Sequence, residues 1–216
     1  MTSAESLVTE IKESLEGASP LRREAILHDM TNLFLEGAEL YSEEQIAVFD
    51  EVLTAVIGHT DRDALIELSR RLAPCAKAPP SLMRKLASHP DLKISGILLK
   101  EAVALSDDEI AAIASAASHT HLLFIASRDS IDEKITDALI NRGDVDAMRK
   151  FVANEHARVS HVGFVKLINA AKRDNSLTEI VAGRTDLPDE LKPFIAMLRR
   201  SSEPDEAGVS SAAAAG

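Results

Sequence analysis

Four stretches of the chain repeat one pattern: an apolar helical run closing on Leu, Ile or Val and then Ala, a small polar turn, and a second helical run. They are LMRKLASHPDLKISGILL, LLFIASRDSIDEKITDAL, MRKFVANEHARVSHVGFV and LTEIVAGRTDLPDELKPFI. Their alanines, Ala87, Ala126, Ala153 and Ala182, stand 39, 27 and 29 residues apart. A short amphipathic helix cannot bury its apolar stripe alone, so units of this kind must lean on one another along a continuous core. The fold class this implies is all-α: an irregular HEAT-like α-solenoid of stacked helix pairs. Around Leu65, LIELSRRLAPCAKAPPSL reads as a degenerate earlier copy.

The second run carries apolar residues at helical spacing in three of the units: Ile94, Ile97 and Leu98; Ile131, Ile135, Ala138 and Leu139; Leu187, Leu191, Phe194, Ile195 and Leu198. Ser130 and Glu133 have capping-box spacing, and Pro188 falls in the first turn after Asp186, so helices are predicted from these points. An additional helix opened by Ser106 and Glu109 accounts for the longer first interval. No stretch alternates apolar and polar residues with period two, so no strand is expected.

Ahead of the repeats the pattern predicts three more helices. One covers about 3–15, opened by Thr2 and Glu5. One follows Pro20 with Ile26, Leu27, Met30, Leu33 and Phe34 on a stripe. One starts at Ser42, boxed by Gln45, carries Ile46, Phe49, Leu53 and Val56, and stops near Gly58. The chain thus divides into an N-terminal three-helix segment, 1–60, packed onto the repeats, the repeats themselves, 61–200, and a tail, 201–216, too poor in large apolar residues to order itself. Charge follows the same division. Residues 1–60 hold 12 acids against 3 Lys and Arg, whereas 61–200 hold 20 against 21. An acidic first segment repels nucleic acid and anionic membrane and suits a basic face of a protein partner; the plainer reading is a solvated helix surface.

Cys75 is the only cysteine, which excludes an internal disulfide. No apolar run reaches the roughly 18 residues that span a bilayer, and the first ten residues lack the basic start and apolar stretch of a signal peptide. A cytoplasmic location is the expectation, with no membrane partner.

The series APPSLMRKLASHPD, HLLFIASRD, INRGDVDAMRKFVANEHARVS and VAGRTDLPDELKPF resembles a bacterial family, domain of unknown function 2336, over about residues 21–199. The last three motifs are the most specific. The resemblance implies an all-helical HEAT-like fold and no established activity, so it assigns no catalytic residue.

Chemistry-bearing residues are few. His28-Asp29 is the dipeptide that helical metal-dependent phosphohydrolases use, but no His precedes it and the following MTNLF gives no further ligand. His119 and His121 point to opposite sides of a helix and suit a helix boundary, near the carboxyl end of the preceding helix. Cys75 has no nucleophile signature around it and reads as a small half-buried residue. No phosphate-binding glycine loop is present, and the sequence assigns no cofactor, no metal-ligand set and no catalytic residue. A metal-dependent hydrolase using His28, Asp29, His119 and His121 is the alternative from another class. Five basic pairs, Arg70-Arg71, Arg84-Lys85, Arg149-Lys150, Lys172-Arg173 and Arg199-Arg200, could grip a phosphate backbone, but acids match them and stacking aromatics are scarce, which disfavours nucleic acid.

One set of residues recurs with the units. His89, Arg128 and Arg184 lie two residues after the repeated alanine, and Asn154 one residue after it. In register they would form a polar ladder along one edge, either a binding ridge for another protein or a row of helix caps. The function this supports is a protein–protein interaction scaffold or regulatory adaptor, with no oligomeric state assigned.

Overall fold

The computed structural model describes residues 17–202; the helix expected at 3–15 and the tail from 203 onward lie outside them. Twelve α-helices follow in order: α1 (Pro20–Gly37), α2 (Glu43–Val56), α3 (Arg62–Leu72), α4 (Pro80–Ala87), α5 (Leu92–Glu101), α6 (Asp107–Ala116), α7 (His119–Ile125), α8 (Glu133–Arg142), α9 (Val145–Val152), α10 (His161–Ala171), α11 (Asn175–Ala182) and α12 (Lys192–Ser202). The described residues hold no strand, only a single bridge between Ile131 and Ala157. No helix among them is long and apolar enough to cross a membrane.

Local signals fix many of the ends. Ser42 and Gln45 make the reciprocal capping box of α2, and Ser106 and Glu109 make that of α6, the inserted helix. Gly143 closes α8 in the left-handed region at φ 72°, a conformation that costs a side-chain-bearing residue about 1 kcal/mol or more.

Two starts differ from the sequence reading. Helix α8 is capped by Asp132, not Ser130, because Ile131 is held extended: its N–H donates to His156 O and its carbonyl accepts from Arg158 N–H at 2.8 Å. Helix α12 begins at Lys192. Pro188 opens only a 3₁₀ turn, Asp189–Leu191, since Pro193 has no N–H to continue an α-helical ladder from Asp189.

Packing follows a regular rule. Helices α1, α3, α5, α7, α9 and α11 contact one another in succession, and so do α6, α8, α10 and α12, with α2 on α4 ahead of them. Arg84 of α4 bridges to Glu109 of α6 at 2.8 Å. Between these two rows lies one core, in which Phe34, Phe151, Phe164, Leu53, Leu72, Leu86 and Leu98 are fully buried. The close consecutive pairs include α6 with α7, α8 with α9 and α10 with α11. The repeated alanine turns after α7 and α9 therefore link one packed pair to the next, where the sequence reading placed them inside a pair. Those two linkers lie side by side and share the Ile131–Ala157 bridge.

Candidate functional site

Three of the four ladder residues reach backward along the chain. Arg128 donates to Leu99 O at 2.9 Å and Ala102 O at 3.2 Å, the carboxyl end of α5. Asn154 donates to Arg128 O and Asp129 O at 2.9 and 3.2 Å. Arg184 donates to Val152 O, Asn154 O and Ala157 O at 3.1, 3.1 and 2.6 Å, and its side chain is only 6% exposed. Helix ends leave carbonyls without intrahelical partners, and a forked guanidinium from the following unit answers them. Burial pushes the Arg128 guanidinium below its ordinary value, against the fields of Asp107 and Asp129. His89 differs. Its Nδ1 accepts from Asp91 N–H at 3.0 Å and its carbonyl faces His121.

A second ladder was not foreseen. Asp91, Asp144 and Asp174 cap α5, α9 and α11, and each also meets a cation from an earlier unit: Arg62, His119 and Arg149 respectively. The partners are 29, 25 and 25 residues apart, close to the unit spacing. The caps were legible as aspartates before helices; the cations could be found only by stepping back one unit.

His119 opens α7 at the boundary that follows α6, and its side chain meets the acids at the start of α9. Its Nδ1 lies 2.6 Å from Asp144 Oδ2 and its Nε2 3.9 Å from Asp146 Oδ2. These three residues could offer metal-ligand atoms within 4.8 Å of one another. Protein donors hold the other oxygen of each acid: Ala147 N–H binds Asp144 Oδ1 at 3.0 Å and Arg149 binds Asp146 Oδ1 at 2.6 Å, which leaves the two Oδ2 atoms facing His119. The arrangement acts as an interhelical ion pair, the titratable rung of the second ladder. The hydrogen bond and field of Asp144 hold the His119 imidazole above its ordinary value. Burial pushes the Asp144 carboxyl up, but the Ala147 amide and His119 outweigh it and leave it low.

A raised folded pKa stabilises the chain fully below the unfolded value and is lost as pH rises through the folded one. Thermal melts should therefore show a larger His119→Ala deficit at about pH 6 than at about pH 9, bracketing the ordinary imidazole value. His119→Arg should remove most of that pH dependence. A deficit that is flat with pH would contradict the pairing.

His28 and Asp29 are exposed, and among the described residues they join no group of three potential ligands. Their nearest polar neighbour is Asn32, 3.2 Å from His28 Nδ1. Cys75 is half-buried, and that burial raises its thiol. Of the basic pairs, Arg71 binds Asn32, Arg84 binds Glu109, Arg149 binds Asp146 and Asp174, and Arg199 binds Glu179.

His121 is the buried histidine, 9% exposed. Its Nδ1 lies 2.6 Å from Ser118 Oγ, and its Nε2 lies 3.1 Å from both Ser95 Oγ and His89 O. Gly96 makes this approach of α7 to α5 possible, since a Cβ there would come within 2.9 Å of the Phe124 ring. Ser118 and His121 border a cleft of about 560 Å³ walled by Ala87, Pro90, Ala112, Ile113 and Ala116.

A family model matches residues 94–215, and its description is "uncharacterised protein conserved in bacteria", domain of unknown function 2336. The chain belongs to this family. The match begins within α5, later than the resemblance seen in the sequence, and takes in the turns that carry Arg128, Asn154 and Arg184. No curated protein and no solved structure matches the chain. The family thus brings no catalytic or binding residue to compare with the clusters of α5 to α12.

Proposed function

We propose that this member of the family is an interaction scaffold, an irregular HEAT-like stack that docks a protein partner on the outer faces of α10 and α12. Residues 1–60 belong to it as its acidic N-terminal segment, and the chain works in the cytoplasm. The observation that carries this reading is a set of large apolar residues left in solvent on two neighbouring helices. Val162 and Val165 on α10 and Phe194 and Met197 on α12 are exposed, the first and the last two by more than half. Earlier in the same row, the outer faces of α6 and α8 present only small or polar side chains such as Ala112, Ser115, Ala138 and Asn141.

Charge narrows the partner. Among the described residues, no carboxylate forms an ion pair with Lys166, Lys172, Arg173 or Arg200, all on or just after these two helices. Lys166 meets Asn141 at 2.6 Å and Lys172 meets Asn169 at 2.8 Å, both neutral amides. An apolar strip bordered by free cations suits an acidic helical segment with an apolar face. The polar ladder, on this reading, holds unit to unit and leaves docking to α10 and α12.

The test compares partners recovered gently from a bacterial lysate by the wild-type chain and by Phe194→Asp/Met197→Asp. Exposed aromatic anchors carry much of a docking energy, so the double variant should bind its partner at least about tenfold more weakly. It should melt near the wild-type temperature, because both positions face solvent. Equal recovery by the two proteins would refute the assignment of this face.

A further inference from the structure

We propose that Ser118 is a nucleophilic serine, activated by His121 at the edge of the apolar cleft, that takes up an acyl group from esters of short apolar carboxylic acids. The proposal is independent of the docking face on α10 and α12.

Capping provides the first observation. Ser19, Ser42, Ser106 and Ser160 all precede helices, and each accepts the backbone N–H three residues on. Ser118 stands in the same position before α7 yet makes no such bond. It also interrupts the second ladder, standing where Asp91, Asp144 and Asp174 stand on the neighbouring helices of the row. Its hydroxyl is directed instead to an imidazole nitrogen.

The hydrogen-bond partners then fix the tautomer of His121. His89 O can only accept, so the nitrogen that faces it, Nε2, carries the proton. Ser95 agrees, because its hydroxyl donates to Asp91 O at 3.2 Å and leaves Oγ to accept from Nε2. In the neutral ring Nδ1 is consequently bare, and the Ser118 hydroxyl donates to it at 2.6 Å. A serine hydroxyl on an unprotonated imidazole whose other nitrogen is anchored is the arrangement that activates a nucleophile. Ser95 and His89 act through His121 as positioning residues.

The cleft supplies the substrate class. Ser118 is exposed while the wall beside it is Ala87, Pro90, Ala112, Ile113, Ala116 and Ala117, which suits a short hydrocarbon chain next to a carbonyl. In the reaction, Ser118 Oγ bonds to the ester carbonyl carbon as its proton passes to His121 Nδ1. Thr120 Oγ1, 3.2 Å from Ser118 Oγ, offers a hydroxyl to the charge that forms on the carbonyl oxygen. The carbon–oxygen bond to the alcohol then breaks, and the alcohol leaves with the proton returned by His121. The acyl group remains on Ser118, and no oxidant, reductant or further reactant is consumed.

The test uses the full chain with p-nitrophenyl butanoate and, separately, a fluorophosphonate, read by p-nitrophenolate release and by mass spectrometry of peptides. The expected result is one adduct per chain, on Ser118, formed faster from butanoate than from acetate and absent in Ser118→Ala. His121→Gln should slow labelling by about a hundredfold or more, the usual contribution of a positioned base. Should that variant fail to fold, labelling of Ser118 against exposed Ser176 in the wild-type chain decides. An adduct on lysines, labelling of Ser118 no faster than of Ser176, or a folded His121→Gln that labels normally overturns the proposal.

Discussion

Arg184→Ala should lower the folding free energy by about 3 kcal/mol, and the melting temperature by about 6–12 °C at this chain length. The guanidinium is buried and donates to three carbonyls of the preceding unit, while Asp186 Oδ2 balances its charge at 2.7 Å. Truncation leaves Asn154 O its bond from Ala157 N–H, but Val152 and Ala157 lose the donor that answers their carbonyls. The side chain also lies over the Phe164 ring, 5.8 Å from its centroid, so contact with a core aromatic disappears as well. Arg184→Lys should recover only part of the loss, since one ammonium cannot reach three carbonyls as a planar fork does. Denaturant titration of the three proteins reads this directly. A loss of under about 1 kcal/mol for Arg184→Ala, the range of an exposed pair, would mean that the ladder side chains are free for a ligand.

That comparison also shows why the ladder could be located in the sequence but not assigned. The turn position one or two residues after each alanine was legible because the units repeat. Whether Arg128, Asn154 and Arg184 face a partner or a neighbouring turn depends on which helices the turn joins. Sequence spacing places helices and turns correctly for α4, α7, α9 and α11, and its grouping of each short helix with the next holds for α4 with α5 and α11 with α12, but α7 and α9 pack little on the helices that follow them. The close packing of α6 with α7, α8 with α9 and α10 with α11 turns the linkers after α7 and α9 into seams between pairs, and seams need donors for helix-end carbonyls.

Caps divide along the same line. Ser42 with Gln45 and Ser106 with Glu109 were readable because the whole device lies within four residues. Ser130 with Glu133 has the same spacing and fails, since the bridge from Ile131 to Ala157, 26 residues on, fixes Ile131 in extended form. Likewise His121, placed at a helix boundary by the sequence, meets Ser95 and His89 across the α5–α7 contact, where Gly96 leaves room for the Phe124 ring. Contacts one unit away are invisible to local spacing. They become searchable once the unit length is known, as the intervals of 29, 25 and 25 residues between paired charges show.

Asp50→Ala should cost about 3 kcal/mol, because the residue caps a helix that is not its own. Helix α4 opens on Pro79 and Pro80, and Pro79 has no side-chain oxygen to offer. Its first-turn amides can be accounted for one by one. Pro80 has no N–H, Met83 N–H bonds Pro79 O at 3.0 Å, and Ser81 and Leu82 donate to Asp50 on α2 at 2.9 and 2.7 Å. Asp50 is buried and Leu82 fully so, which keeps water from replacing the carboxylate. Alanine would therefore strand two amides at once and remove a negative charge from the positive end of α4. Asn, with one amide oxygen, can accept from one of them in place, so Asp50→Asn should lose roughly half as much. Urea titrations of wild type and both variants check the order. Hydrogen exchange at Leu82 should rise in step with the loss, because this amide is the one the carboxylate shields from solvent. If Leu82 exchanged as slowly in Asp50→Ala as in the wild type, the cap would have to come from elsewhere, and the link from α2 to α4 would rest on apolar packing alone.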